Sequence, residues 1–488
     1  MENGYIFKNK ISDNVIKKAI KKKKSYIKKY KFDKDKKYSY KVETIDLLKN
    51  FFPILRIKES SGENEIDKID FNKSLIVGNI RMGYGHYRIS IAIASCAASL
   101  GYEPLWFDFL DFPGSPATSI IKKLNDLYSL GSRLSQKIPL FNKYFWEPLT
   151  AEGFKKLSYN YTDLKMTELF TDILNGIPKD VPFVGTHAWP AQAAIHAGFK
   201  YVVNAIPDNW PLGLHLSEGA VHTIQTFSSY YGYTVLKNMD KKNKVLNPIP
   251  ENKIIYTGHY VDHELVLNIE KDCEKRLYRS KSNGKLRFLF SIGGAGAQVD
   301  YNLKVILSLK DYIEKDKIAI FINCGDHKNV FKILKDNFDK YDMKYEIHND
   351  LNESINFAIN SYENDIKGVH IFINDEIFTA IYLTNILMRA SDILVTKPSE
   401  LAFYPVPKIM IQRVGGHEAW GAIHSSEIGD GTIECETPEF AIQAANLLIE
   451  RKNMFMLYCS NIVKNKSVGI YDGGYNLVKL FKNLNLFN

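Results

Sequence analysis

From Ser74 onward the chain alternates short apolar runs with segments whose apolar residues recur three and four apart, the pattern of a parallel sheet with helical crossovers. Ser74 to Ile80 (SLIVGNI) predicts a buried strand. Ile89, Ile93, Ala97 and Leu100 then fall at helical spacing before Gly101, a natural helix stop. Glu103 to Phe109 predicts the next strand, and further strands are expected at Phe183 to Thr186, Tyr201 to Ile206, His222 to Gln225 and Ile254 to Tyr256. A charged, helical stretch from Glu264 to Asn283 follows, after which the pattern restarts with Leu286 to Ile292 (LRFLFSI) and a glycine turn. The second series places strands at Ile318 to Asn323, Lys344 to His348, His370 to Ile373, Ile393 to Thr396 and Lys408 to Gln412. The fold class expected is α/β, as two tandem Rossmann-like domains that each open with strand, glycine turn and helix. In such sheets ligands bind at the carboxyl edge of the strands.

Composition narrows the class. At 488 residues the chain has length for two or three domains, and 45% hydrophobic with 24% charged residues fits a globular protein rather than a disordered or collagen-like one. The five cysteines (Cys96, Cys273, Cys324, Cys435, Cys459) are far apart with no CxxC pair, so neither a zinc cage nor a disulfide framework is predicted, and a reducing compartment suits them. Long stretches without charge, such as Val181 to Phe199, are interrupted by Pro, His and Gln, so no transmembrane helix is expected. The first residues, MENGYIFKNK, lack the apolar region of a secretory signal, and a cytoplasmic location is expected.

Charge is unevenly placed. Residues 1 to 45 hold 15 Lys and Arg against 5 Asp and Glu, while the remainder holds 49 against 50. A neutral body argues against nucleic acid as a partner. The basic segment reads either as a solvated lysine-rich leader or as an arm for an anionic membrane surface. For the second reading, Ile16, Ile20, Tyr26 and Ile27 would form a thin apolar strip beside the lysines.

Three segments carry candidate chemistry. The first turn, Arg81-Met82-Gly83-Tyr84-Gly85-His86-Tyr87-Arg88, puts Arg88 where a dinucleotide fingerprint has its third glycine, although Asp108 ends the next strand about 20 residues on. Gly83 and Gly85 allow close backbone approach, and His86 at the helix start can act as a base or simply cap and pack. The second turn, Ile292 to Gln298, offers Gly293, Gly294 and Gly296 at a helix N-terminus, a place for phosphate or merely a tight turn. In the third, Ala390 to Leu401, a strand runs into Lys397 and then Glu400, which can accept two ribose hydroxyls or serve as an ordinary first-turn carboxylate. After the following strand comes Gly415-Gly416-His417-Glu418-Ala419-Trp420-Gly421.

The order of these parts resembles the GT-B glycosyltransferases related to monogalactosyldiacylglycerol synthase, processive diacylglycerol glucosyltransferases and the peptidoglycan N-acetylglucosaminyltransferase (family 28-like). Gly83-Tyr84-Gly85-His86 is similar to the family's Gly-Gly-His turn, and Gly293 to Gly296 to its phosphate turn. Asp392 to Lys397 with Glu400 is similar to its Asp-Leu-Val-Val-Thr-Lys segment, and Gly416-His417-Glu418 to its Gly-Gln-Glu loop. Thr186-His187, Pro207-Asp208-Asn209-Trp210 and Thr257 to Val261 sit at the family's remaining landmarks. The likeness covers roughly residues 74 to 450, by pattern. It departs at Pro398-Ser399, at Tyr84, and in the His and Trp content of Thr186 to Gln225.

The resemblance implies a basic extension at residues 1–72, an acceptor-side domain at 73–265, a nucleotide-sugar-binding domain at 266–450 and a helical segment at 451–488, with the two domains facing across a cleft. It implies an inverting hexosyltransferase that takes a nucleotide-diphosphate sugar, a UDP-sugar, and a lipid or glycan hydroxyl. Its site residues would be His86 and Asp208 for catalysis and Gly293, Gly294, Gly296, Lys397, Glu400, His417 and Glu418 for the donor. Gly83, Gly85, His187 and Trp210 would stand on the acceptor side. No cofactor or metal is expected, since a helix terminus can take the leaving-group charge. A glycolipid product and peripheral attachment to the cytoplasmic membrane face are expected, with Phe109 to Phe154 as an apolar, basic lip or as an ordinary helical insertion. The other readings are a nucleotide-sugar- or lipid-binding protein without turnover, and a non-transferring enzyme such as a UDP-sugar epimerase.

Overall fold

The structure, a computed structural model, describes residues 4–242, 244–281, 285–292, 298–483 and 487. It begins with a short hairpin, β1 (Tyr5–Ile6) and β2 (Asn9–Lys10), and a helix over Asp13–Tyr30. The strands β3 (Tyr40–Thr44) and β4 (Leu55–Glu59) come next, then β5 (Ser74–Asn79), β6 (Glu103–Asp108), β7 (Phe183–Gly185), β8 (Val202–Ala205), β9 (Val221–Ile224) and β10 (Ile254–Tyr256). They form one sheet in the order β10-β9-β8-β7-β5-β6-β4-β3, parallel throughout except for β3, which runs antiparallel to β4 at the edge. The second sheet is built from β11 (Leu286–Ser291), β12 (Ile318–Asn323), β13 (Glu346–His348), β14 (Gly368–Phe372), β15 (Ile393–Thr396) and β16 (Lys408–Met410). Its order is β13-β14-β12-β11-β15-β16, all parallel. Helices cross between successive strands, which makes two Rossmann-like domains in the GT-B arrangement.

The central strands are apolar along their whole length because both faces are covered. All six residues of β5 and of β12 are buried. One apolar cluster runs from Leu75 and Ile91 through Val261 and Ile269 to Phe288 and Leu387, so the two domains share a continuous core. Arg88 explains why the first turn is no dinucleotide fingerprint. Its buried guanidinium crosses to the second domain and donates to Asn385 Oδ1 (3.0 Å), Thr384 Oγ1 and the Ile381 carbonyl. The chain also returns: the helix Gly473–Lys479 packs on the helix Gly85–Ser99 of the first domain, and the Gly473 N–H donates to the His259 carbonyl at 2.9 Å.

One expectation about the periphery is corrected. The basic segment is not an extension beside the first domain, since β3 and β4 belong to its sheet and the helix Asp13–Tyr30 packs on the helix Leu157–Thr167. Ile6, Phe7, Ile11 and Ala19 are buried with Leu157, Tyr161 and Leu164, Ile16 packs on this cluster, and Tyr26 and Ile27 pack into a second one with Met166 and Leu169, so Ile16, Tyr26 and Ile27 of the apolar strip face protein. Lys17, Lys18, Lys21, Lys24 and Lys28 lie on the opposite, exposed face. The Phe109 to Phe154 segment is likewise part anchor and part surface. Phe112, Ile120, Ile121 and Trp146 are buried, whereas Leu127, Leu130, Leu140, Tyr144 and Phe145 are exposed. No described helix is long and apolar enough to cross a membrane, and all five cysteines are buried and free.

Candidate active site

The carboxyl ends of the two sheets face one another. From β5 the chain turns through Gly83, whose φ of +78° suits a glycine, and enters the helix Gly85–Ser99. Tyr84, standing where the resembled family has a second glycine, reaches the loop after β12. Its hydroxyl donates to Asp326 Oδ1 and accepts the Asp326 N–H at 3.0 Å, while Arg81 Nη2 donates to Asp326 Oδ2 at 2.6 Å. The ring lies directly on Gly325, where a Cβ would stand 2.3 Å from the Tyr84 oxygen, so no other residue fits there. Glu400, at the end of the β15 loop, closes the gap from the other side. Its carboxylate comes so near the first turn that a Cβ on Gly85 would lie 3.3 Å from Oε2.

His86 therefore sits between the domains. Its Nδ1–H donates to the Thr186 carbonyl at 2.7 Å, which fixes the tautomer and leaves Nε2 as the basic nitrogen. Burial lowers its pKa, more than the Thr186 carbonyl, Asp208 and Glu400 raise it, so the ring is neutral at pH 7. His187 stands edge-on to it at 4.8 Å between centroids, with Nδ1 accepting the Trp189 N–H at 3.1 Å as the cap of the helix Ala188–His196. Burial holds His187 well below the usual imidazole range. With Nδ1 engaged as the cap, His187 packs edge-on against His86.

Asp208 follows β8. Its Oδ2 stands 3.3 Å from His215 Nε2, and His215 Nδ1 meets the Tyr233 hydroxyl at 2.6 Å. Burial would raise this carboxyl, but the His215 N–H and the nearby His215, His417 and His86 rings outweigh it and hold Asp208 well below its usual range. The neighbouring Asn209 Nδ2 donates to the Trp420 carbonyl at 3.0 Å, and the Trp210 ring meets Trp420 edge-on at 5.7 Å, so this loop docks on the second domain.

On the second domain, Lys397 donates to Glu418 Oε1, and Glu418 Oε2 accepts the N–H groups of Val414 (2.8 Å) and Gly415 (3.3 Å). Burial alone would lower the Lys397 ammonium, yet Glu418 and Glu400 together raise it. Burial likewise pushes Glu418 up, and Lys397 and His417 outweigh it and hold the carboxylate low. His417 Nδ1 and Trp210 Nε1 are buried without a hydrogen-bond partner among the described residues, two polar groups at the cleft that a ligand can satisfy. Beside this loop a cavity of about 240 Å³ is lined by Trp146, Thr150, Gln412, Gly415, Gly416 and Glu436.

The candidate residues thus gather as two groups, His86, Asp208, His187, Trp210, Gly83 and Gly85 against Lys397, Glu400, His417 and Glu418. Gly293, Gly294 and Gly296 lie outside the described residues. Sequence reasoning missed His215 with Tyr233 and the Tyr84 to Asp326 clamp. The one available signal for the first was the density of His and Trp between Thr186 and Gln225, and Gly325-Asp326 after a strand was the signal for the second.

Residues 5–235 match a family model described as Domain of unknown function (DUF6937), and residues 249–482 match another, Domain of unknown function (DUF6938). No curated protein matches the chain. Among solved structures it is similar to UDP-GlcNAc 2-epimerase from Neisseria meningitidis bound to UDP-GlcNAc, at 14% identity over 84% of this chain and 100% of that one, with a TM-score of 0.45. It is also similar to alpha,alpha-trehalose 6-phosphate synthase from Burkholderia multivorans (9% identity, 85% and 98% covered, TM-score 0.42). A glycosyltransferase from Rickettsia africae is a third (14%, 85% and 98%, TM-score 0.38). Likenesses of this degree concern chain folding, not chemistry.

Proposed function

We propose that the chain is a nucleotide-sugar enzyme of the inverting hexosyltransferase type, taking a UDP-sugar in the second domain and a lipid or glycan hydroxyl in the first. The observation that carries this reading is the neutral His86. Its Nδ1–H is fixed on Thr186, which leaves Nε2 as the basic nitrogen, and Asp208 and, from the second domain, Glu400 are close enough to act on its charge. In the reaction the acceptor oxygen attacks the anomeric carbon, His86 Nε2 takes the hydroxyl proton, and the bond from that carbon to the diphosphate oxygen breaks. Asp208, kept ionised by His215, stabilises positive charge on His86 as it forms. Lys397 supplies positive charge on the donor side, and the glycine turn at 293–296 is assigned to the diphosphate.

The exposed Leu140, Tyr144 and Phe145 support a lipid as the acceptor class and contact with a membrane surface, to which the lysine face of Asp13–Tyr30 adds charge. A non-transferring reaction on the donor alone is the second reading. It is favoured by the Asn209 to Trp420 contact, which ties the loop after β8 to the second domain. Incubating the protein with a panel of UDP-sugars, with and without lipid and glycan acceptors, separates the two by product. Glycosylated acceptor supports transfer and an isomerised UDP-sugar supports the second reading. Absence of binding and turnover with every donor removes both.

A further inference from the structure

A second cluster of ligating side chains lies at the far edge of the second sheet. Glu346 and His348 are two apart on β13 and so share a face, and the parallel register sets Glu346 opposite His370 and His348 opposite Phe372 on β14. One oxygen of Glu346, one nitrogen of His348 and one of His370 lie within 4.8 Å of one another. The two imidazoles are only 4% exposed, wedged among Phe357 (4.3 Å from His348 and 4.5 Å from His370) and Phe372 (4.6 Å from His348), while Glu346 is 70% exposed at the mouth. The edge strand stands three positions from β11, or about 14 Å at a strand spacing of about 4.8 Å, so this cluster is separate from the cleft.

Hydrogen-bond accounting makes the cluster informative. His370 Nε2 faces the Lys367 carbonyl at 2.9 Å, and His348 Nδ1 faces a Glu353 carboxylate oxygen at 2.7 Å. Both partners only accept, so each neutral ring places its one N–H there. The two remaining nitrogens, His348 Nε2 and His370 Nδ1, then aim lone pairs at each other across 3.1 Å, and a Glu346 oxygen stands 3.5 Å from His370 Nδ1. Two lone pairs and a carboxylate converging on one point repel unless a cation lies between them.

We propose that His348 Nε2, His370 Nδ1 and Glu346 bind a divalent transition-metal cation of the zinc class, with Glu353 and the Lys367 carbonyl orienting the two rings. With metal–nitrogen and metal–oxygen bonds of about 2.0–2.1 Å, separations of 3.1 and 3.5 Å correspond to ligand–metal–ligand angles of about 100° and about 117°, either side of tetrahedral. The carboxylate behind His348 is the usual partner of a metal-bound imidazole. The fourth position opens to solvent beside Glu346. Because β13 is a three-residue edge strand, the ion acts as a staple that holds it to β14.

The test is calorimetric titration of the full chain, stripped with chelator, with Zn2+ or Co2+ alone. Stoichiometric binding tighter than about 10 μM is expected, with visible Co2+ bands of tetrahedral intensity. His370→Gln should abolish it, and Glu353→Gln should weaken it about 10- to 100-fold. Glu346→Gln, at an exposed position that leaves folding intact, should weaken it at least as much as Glu353→Gln. Binding weaker than about 10 μM in the wild type, or equal affinity in wild type and Glu346→Gln, overturns the proposal and leaves a third proton shared between the rings as the resolution of the 3.1 Å contact.

Discussion

Replacing Tyr84 by Phe tests whether the two domains are latched at the site. The substitution keeps the ring on Gly325 and removes only the hydroxyl, hence both the bond to Asp326 Oδ1 and the one from the Asp326 N–H. The Arg81 contact with Asp326 survives, but Arg81 is 44% exposed, and such a pair contributes at most about 1 kcal/mol. Tyr84 is buried, and a hydrogen bond to a charged group is worth about 1.5–3 kcal/mol. At about 1.4 kcal/mol per factor of ten, its loss should raise the population of the opened cleft about 10- to 150-fold. Amide hydrogen exchange reads this directly. Protection over residues 84–88 and 325–327 should fall by that factor while β5 and β12, in the shared core, keep theirs. The coupling to Asp326→Asn in a double-mutant cycle should recover most of the effect. Unchanged protection across both segments would refute a latch, and the Tyr84 contact would then be no more than packing against Gly325.

His86→Ala should lower turnover about 100- to 10,000-fold with donor affinity kept. In the wild type the acid limb of kcat/KM should inflect below pH 6.5, because the lowered pKa keeps Nε2 unprotonated there, and an inflection at or above 6.5 counts against His86 as the base. His222 gives a stability test. Its Nδ1–H donates to the Lys253 carbonyl and its Nε2 accepts the Ser217 N–H, so protonation breaks a buried bond, and burial pushes its pKa down to about 4. Only the unfolded chain is protonated between those values, so stability is lost as pH falls from 6.5. The stability margin of wild type over His222→Gln should therefore shrink by about 1.6 kcal/mol between pH 6.5 and pH 5 in urea titrations. Phe7→Ala should cost about 3–5 kcal/mol in the same assay, where a free leader would show no effect. The triple change Leu140→Glu, Tyr144→Glu, Phe145→Glu should abolish co-sedimentation with anionic vesicles and leave melting unchanged, and equal sedimentation removes the lip as a membrane contact.

The positions of the central strands of each half were legible because buried parallel strands are continuous apolar runs. Ile318–Asn323 and Ile393–Thr396 fall where the pattern places them, and Gly83 and Gly101 take the positive φ their turn positions predict. The outer strands β3 and β4 were not legible. Tyr40–Thr44 (YKVET) and Leu55–Glu59 (LRIKE) mix charge with one fully buried residue each, Tyr40 and Ile57, so neither reads as a continuous apolar run. The lysine helix misled for a related reason: an apolar strip beside lysines has the same periodicity whether it meets lipid or the helix Leu157–Thr167, and only the partner distinguishes them. The site divides the same way. Sequence order alone marked His86, Lys397, Glu400 and the His417-Glu418 loop as candidates, because each follows a strand at the carboxyl edge where ligands bind. What Tyr84 touches was decided by tertiary structure, as was the pairing of Asp208 with His215 and the meeting of His348 with His370 across two strands. Contacts of this kind depend on distance in space between residues that local propensity does not connect, up to 242 positions apart for Tyr84 and Asp326.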